Sequence, residues 1–222
     1  MSDTALTPHQ VEKLFEAADG TYRFSRWGRP IAPVIFGVDD ETLGHMKDAM
    51  ASVALISGMK FMETDPELGA NLMMFFCQDW DELDLVPDLD QLLPDFEALK
   101  ASLTQTNANQ YRTFSFDEQG AIKMCIVLLR FDAHMAETSI QTLGVGQMAH
   151  CILLWGDLAF KGNSPIALVP ENGMCIVKPN YAALIKAAYN GLMPPSATDA
   201  SHAMRLAARG GLILKDLTNE DA

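Results

Sequence analysis

Residues 147–160, QMAHCILLWGDLAF, form the most apolar long segment of the chain, and their reading decides the fold. Between His150 and Asp157 every residue is apolar or glycine. A helix that is apolar on all sides is a buried one. The stretch therefore reads as a central helix. Gly144 and Gly146 act as a flexible break before it, and Lys161-Gly162-Asn163-Ser164-Pro165 ends it.

Outward from that helix, strands and helices are mixed without strict alternation. Thr7-Pro8 opens a first helix, with Thr7 as N-cap and Pro8 at the first helical position. Residues 21–27 (TYRFSRW) alternate as a half-buried strand does, and 31–36 form a short apolar strand. Residues 39–60 read as a long amphipathic helix whose inner face carries Leu43, Met46, Met50, Val53, Ala54 and Ile56. Residues 71–77 (NLMMFFC) are a buried strand. The acidic stretch 79–103, broken by Pro87 and Pro94, reads as short helices over the surface. Residues 111–116 and 121–131 are strands joined by the hairpin turn Asp117-Glu118-Gln119-Gly120. Beyond the central helix come short strands at 166–169 and 174–177. A helix follows at 179–189, and a last one at 196–209 is closed by Gly210-Gly211. The fold class is α+β: a mixed, largely antiparallel sheet with long helices packed on one face and a helical C-terminal part. One domain over 1–222 is expected, with 1–160 and 161–222 as alternative sub-lobes.

Composition bounds the function. The chain has 222 residues, is 49% hydrophobic and carries a formal net charge of −13. That sign repels phosphate backbones and anionic lipid, so neither nucleic acid nor membrane is an expected partner. The N-terminal residues MSDTALTPHQVEKLFEAADG lack a basic segment followed by an apolar one, so a cytoplasmic location is the expectation. Cys77, Cys125, Cys151 and Cys175 all have apolar neighbours and no CxxC spacing. They read as buried thiols, with one disulfide as the alternative.

The chemistry can be tested motif by motif. A zinc peptidase helix needs HExxH, with two histidines on one face and a glutamate as base. His150 is followed by Cys151, and the position four residues on is Leu154, so base and second ligand are both missing. His9, His45, His134 and His202 lie far apart and read as solvated or capping residues. The acids Asp79, Asp81, Glu82, Asp84, Asp88 and Asp90 lack the order of a calcium loop and read as a solvated face. Gly144-Val145-Gly146 lacks the Lys-Ser/Thr of a phosphate loop, and no GxSxG occurs. Arg26, Trp27 and Arg29 could bind an anion or stack on a ligand. The competing reading buries Trp27 at a strand end and pairs Arg26 with an acid.

Three stretches together resemble a proteobacterial family of unknown function, many of whose members look like lipoproteins. They are Arg26-Trp27-Gly28-Arg29-Pro30-Ile31 with the helix that ends LISGMKF; Gly69-Ala70-Asn71-Leu72 leading into an apolar strand; and the central helix with Tyr189-Asn190, Met193-Pro194 and SHAMRLA. The resemblance spans roughly residues 21–209. It implies a zinc-peptidase-like fold in which a strand edge runs above a central helix. Family members carry a Cys, then a Glu-Glu pair and a Gln, on that helix. Here Cys151 remains, but Leu154 and Trp155 stand where the carboxylates would be.

The expected function is thus a non-catalytic protein with no metal and no cofactor, acting by protein interaction or self-association as a degenerate metallopeptidase-like scaffold. The alternative is an enzyme or small-molecule binder whose site is assembled from His150, Asp157, Arg26 and Trp27.

Overall fold

The computed structural model describes residues 4–220. The first helix, α1 (Pro8–Leu14), begins as expected. The Thr7 hydroxyl accepts the Gln10 N–H, and the Gln10 side chain accepts the Thr7 N–H, which completes a capping box. Helix α2 (Asp40–Ile56) is capped by Asp39 and buries Met46, Ala49, Met50, Val53 and Ala54.

A four-stranded sheet organises the molecule in the order β2 (Pro33–Phe36), β3 (Leu72–Cys77), β5 (Ile122–Arg130), β4 (Gln110–Phe116). The β2–β3 and β3–β5 pairings are parallel, and the β4–β5 hairpin is antiparallel. Two small antiparallel ribbons complete the strands: β1 (Phe24–Ser25) with β8 (Ser196–Ala197), and β6 (Ile166–Leu168) with β7 (Cys175–Val177). The mixed α+β architecture is therefore as expected. Antiparallel pairings outnumber parallel ones only because of the ribbons; the central sheet itself is mainly parallel.

Side chains split by alternation along each strand. Leu72, Met74 and Phe76 of β3, with Cys125, Val127 and Leu129 of β5, face α2 and helix α6 (Ile140–Cys151), which follows the short helix α5 (Ala133–Glu137). Phe75, Cys77, Ile126 and Leu128 face the other way, onto Trp80, Leu83, Leu89, Leu93, Phe96 and Leu103. Those partners come from the acidic stretch, which folds as a 3-10 helix (Trp80–Leu85), α3 (Leu89–Leu92) and α4 (Phe96–Gln105). The long helices do share one face. The acidic segment, however, is more than a surface decoration: it is a third layer with its own core. Its acids stay outside, and Lys100 is held among Asp81, Asp84 and Glu97. A strand buried on both faces reads as an unbroken apolar run, which is why β5 does.

Several boundaries move, among them the start of the last helix, at Ser201 rather than 196, and the first strand, which shrinks from 21–27 to Phe24–Ser25. Helix α6 starts at Ile140, so Gly144 and Gly146 lie inside it rather than before it. A Cβ at Gly144 would stand 2.7 Å from the Ala49 Cβ, so glycine lets α6 press against α2. The helix then stops at Cys151, leaving most of the quoted stretch non-helical. Leu153 instead pairs with Arg26, and the Leu154 N–H is accepted by the Ser25 carbonyl. The carbonyls left without helical partners at the helix end accept from the Trp27 indole N–H (to Cys151, 2.8 Å) and the Tyr189 hydroxyl (to Ile152, 2.6 Å). Finally, α7 (Pro179–Ala188) packs on α8 (Ser201–Glu220), and α8 runs straight through Gly210-Gly211. A Cβ at Gly210 would stand 3.6 Å from the Leu184 Cα, an ordinary contact, so the fold has room for a side chain there. No helix of the described residues is long and apolar enough to cross a membrane.

Candidate functional site

Strand β4 closes one edge of the central sheet and has no strand partner on its outer side among the described residues. Hydrogen-bond alternation decides which of its groups face out. The Cys125 and Phe131 N–H groups point to β3, being accepted by the Asn71 and Cys77 carbonyls, whereas the Arg130 N–H is accepted by Asn109 beside β4. With Tyr111 opposite Leu128 and Thr113 opposite Ile126, the odd residues of β4 bond to β5. The backbone groups of Gln110, Arg112 and Phe114 therefore face the open edge.

The side chains of those same residues lie on the α6 side of the sheet. Arg112 donates from Nε to the Cys151 sulfur at 3.2 Å and from a terminal nitrogen to the Gln147 amide oxygen at 2.5 Å. Gln147 in turn donates to the Gln110 amide oxygen at 3.4 Å. This ladder fastens the edge strand to α6. On either side of it lies a cavity, and His150 lines both. The first, about 460 Å³, is walled by Arg112, Phe114, Trp155, Asp157, Phe160 and Lys161. The second, about 370 Å³, is walled by Gln110, Met135, Thr142, Gln147 and Ile166. Together they make a trough beside the open edge of β4.

Each wall is braced from behind. The His150 ring meets Phe160 edge-on at 4.6 Å. Burial, with Arg112 adding to it, pushes the His150 pKa down to about 3, so the ring is neutral near pH 7. Trp155 stacks on Phe15 and donates its indole N–H to the Ala149 carbonyl. Asp157 accepts the Ala18 N–H at 2.6 Å, tying the trough to the turn that follows α1. Gly156 has no room for a side chain, since a Cβ would lie 2.2 Å from the Glu16 carbonyl oxygen.

Of the four residues singled out in the sequence, His150 and Asp157 share the first cavity. Arg26 and Trp27 do not line either part of the trough. Trp27 is fully buried and holds the end of α6. Arg26 lies over the Tyr189 ring and donates to the Trp27 and Met193 carbonyls. It pairs with carbonyl oxygens rather than with an acid among the described residues. His202, expected in a solvated setting, is instead buried against Phe24, with Nδ1 and the Tyr22 hydroxyl 2.7 Å apart. His9 and His45 are exposed as expected, and the side chain of His134 lies outside the described residues.

The donor set does not fit a catalytic metal. No three His, Cys, Asp or Glu side chains of the described residues converge as a metal site. At the end of α6 the neighbour of Cys151 is the guanidinium of Arg112, which repels a cation.

Sequence reading missed Arg112, Gln110 and Gln147. Their signal was present: Arg112 is the one charge in YRTFSF, two residues before Phe114 on the same face. What linked it to the apolar helix was proximity across the fold. No family model, no curated protein and no solved structure matches this chain.

Proposed function

We propose that the protein is a non-catalytic interaction module that receives an extended polypeptide segment along the open edge of β4. One observation carries this reading: outward-facing backbone groups at Gln110, Arg112 and Phe114 run beside a two-part trough. Addition of a strand to a sheet edge supplies main-chain hydrogen bonds, while pockets beside the edge select alternate side chains. The first cavity, with Phe114, Trp155 and Phe160, suits an apolar or aromatic side chain; Arg112 and Lys161 suit an acidic neighbour. The second, lined by Gln110, Gln147 and Thr142, suits a polar one. Proteins usually protect open edges, and an uncovered one beside a recess supports use of the edge for binding.

Chemistry is disfavoured by the groups available. His150 is held neutral with a pKa far below the working range of a general base. Asp157 is engaged by the Ala18 amide.

The test is selection of binders from a displayed heptapeptide library, followed by amide hydrogen exchange on the protein with a selected peptide. Binding is expected to protect the Arg112 and Phe114 amides, which have no ladder partner in the free protein. A bound peptide that leaves both amides exchanging freely, or a library that yields no binder, sinks the proposal.

A further inference from the structure

We infer that Cys125 and Cys151 form a reversible redox pair beneath the trough, a dithiol that hydroperoxides convert to a disulfide, with Arg112 positioning the attacking sulfur. The two sulfur atoms lie 3.9 Å apart, one on β5 and one on the last turn of α6. The Cys125 thiol donates to Cys151, and Arg112 Nε donates to Cys151 from the other side at 3.2 Å. Cys151 thus accepts two hydrogen bonds, one from a fixed positive charge, an arrangement that favours the thiolate.

Burial by itself raises the pKa of Cys151. The bond from Cys125 and the charge and bond from Arg112 outweigh it and lower that pKa. Cys125 is pushed the other way by burial and by Cys151. The pair is therefore divided into a nucleophile and a partner that stays protonated. The other two thiols lack this environment. Burial and nearby acids raise Cys77 to about 11, and burial raises Cys175.

Both sulfurs of the pair are fully buried. Their cover is Arg112, which also lines the first cavity, and Gln147, which lines the second. A hydroperoxide little larger than water reaches Cys151 when the guanidinium moves aside. The thiolate attacks the peroxide: an S–O bond forms, the O–O bond breaks, and the departing oxygen leaves as alcohol or water with the Cys151 proton. Cys125 sulfur then attacks the sulfenic acid. The S–S bond forms, the S–O bond breaks, and water leaves with the Cys125 proton. Two thiols and one hydroperoxide thus give one disulfide, one alcohol (or water) and one water, with two electrons passing to the peroxide.

The experiment uses the reduced full chain and hydrogen peroxide. After quenching, the protein is unfolded and alkylated with N-ethylmaleimide, and intact mass counts the free thiols. The count should fall from the four cysteines present to two and return to four with dithiothreitol, with a Cys125–Cys151 crosslinked peptide after digestion. Four alkylated thiols throughout, or a crosslink through Cys77 or Cys175, overturns the inference.

The role of Arg112 is read from the pH profile of oxidation. Arg112→Gln should slow it about five- to tenfold near pH 7 for each unit by which the thiol pKa rises, and the rate should recover above pH 9. A wild-type profile in that variant overturns the positioning role. If the variant does not fold, the wild-type profile decides: an inflection below the ordinary thiol value of about 8.5 supports the lowered thiol that Arg112 helps to hold, and one at or above that value overturns it.

Discussion

Replacing Gly144 by alanine should destabilise the protein, although the same change at an open helical position stabilises one. Gly144 lies on α6 where it crosses α2. An alanine Cβ there would sit 2.7 Å from the Ala49 Cβ and 3.1 Å from the Met46 carbonyl oxygen. Carbon atoms rest about 3.5–4.0 Å apart, so the helices must separate by roughly 1 Å. Neither obstacle is the end of a flexible side chain, and Met46, Ala49 and Met148 around them are buried. Overpacking of a close-packed core costs about 1–3 kcal/mol. Alanine returns about 1 kcal/mol through helix propensity. The net loss is up to about 2 kcal/mol, or a melting temperature lower by up to roughly 8 °C in a chain of this size.

Gly44 supplies the control. It is exposed on α2, with nothing within 4 Å of where a Cβ would stand, so Gly44→Ala should gain about 0.5–1 kcal/mol. Urea unfolding of both variants measures the pair. The reasoning is refuted if Gly144→Ala is as stabilising as Gly44→Ala, because the two helices would then not meet at that glycine.

Acid should weaken the fold through buried histidine. Burial lowers the His202 pKa from 6.5 to about 4, so between those values the unfolded chain binds the proton first. The contribution, about 3 kcal/mol, is complete above pH 6.5 and is lost as pH falls towards 4. His150, lowered to about 3, acts in the same direction. Imidazole NMR titration checks it: His202 signals that titrate near 6.5 would contradict the burial. Asn71→Ala should cost about 3 kcal/mol in the same urea assay. The buried amide accepts the Ala32 N–H at 2.7 Å and donates to the Pro30 carbonyl and the Asp65 carboxylate, so truncation removes three hydrogen bonds. A loss below about 0.5 kcal/mol would mean that these groups find other partners.

The elements that were legible in sequence carry a local signal. The Thr7-Pro8 cap, the Asp39 cap of α2 and the hairpin turn at Asp117-Glu118-Gln119-Gly120 depend on bonds made within a few residues. The inner face of α2 followed from periodicity, and the burial of β5 from its nearly unbroken apolar run. The end of α6 did not, because residues 152–155 are apolar whether helical or extended, and burial looks alike in both. What ends the helix is the indole of Trp27 and the hydroxyl of Tyr189, which arrive from distant parts of the chain. His202 escaped for a related reason: its helix face is buried only because Tyr22 and Phe24 cover it.

The residues alone settle the chemical class of the molecule: acidic, core-forming, mixed in helix and strand, and without the carboxylates a zinc peptidase helix requires. Those properties reside in composition, short-range bonding and pattern. The trough, the open edge of β4 and the Cys125–Cys151 contact under Arg112 exist only once the hairpin lies across α6. They join residues dozens of positions apart, and no spacing in a single chain encodes which distant groups packing will bring within a hydrogen bond of one another.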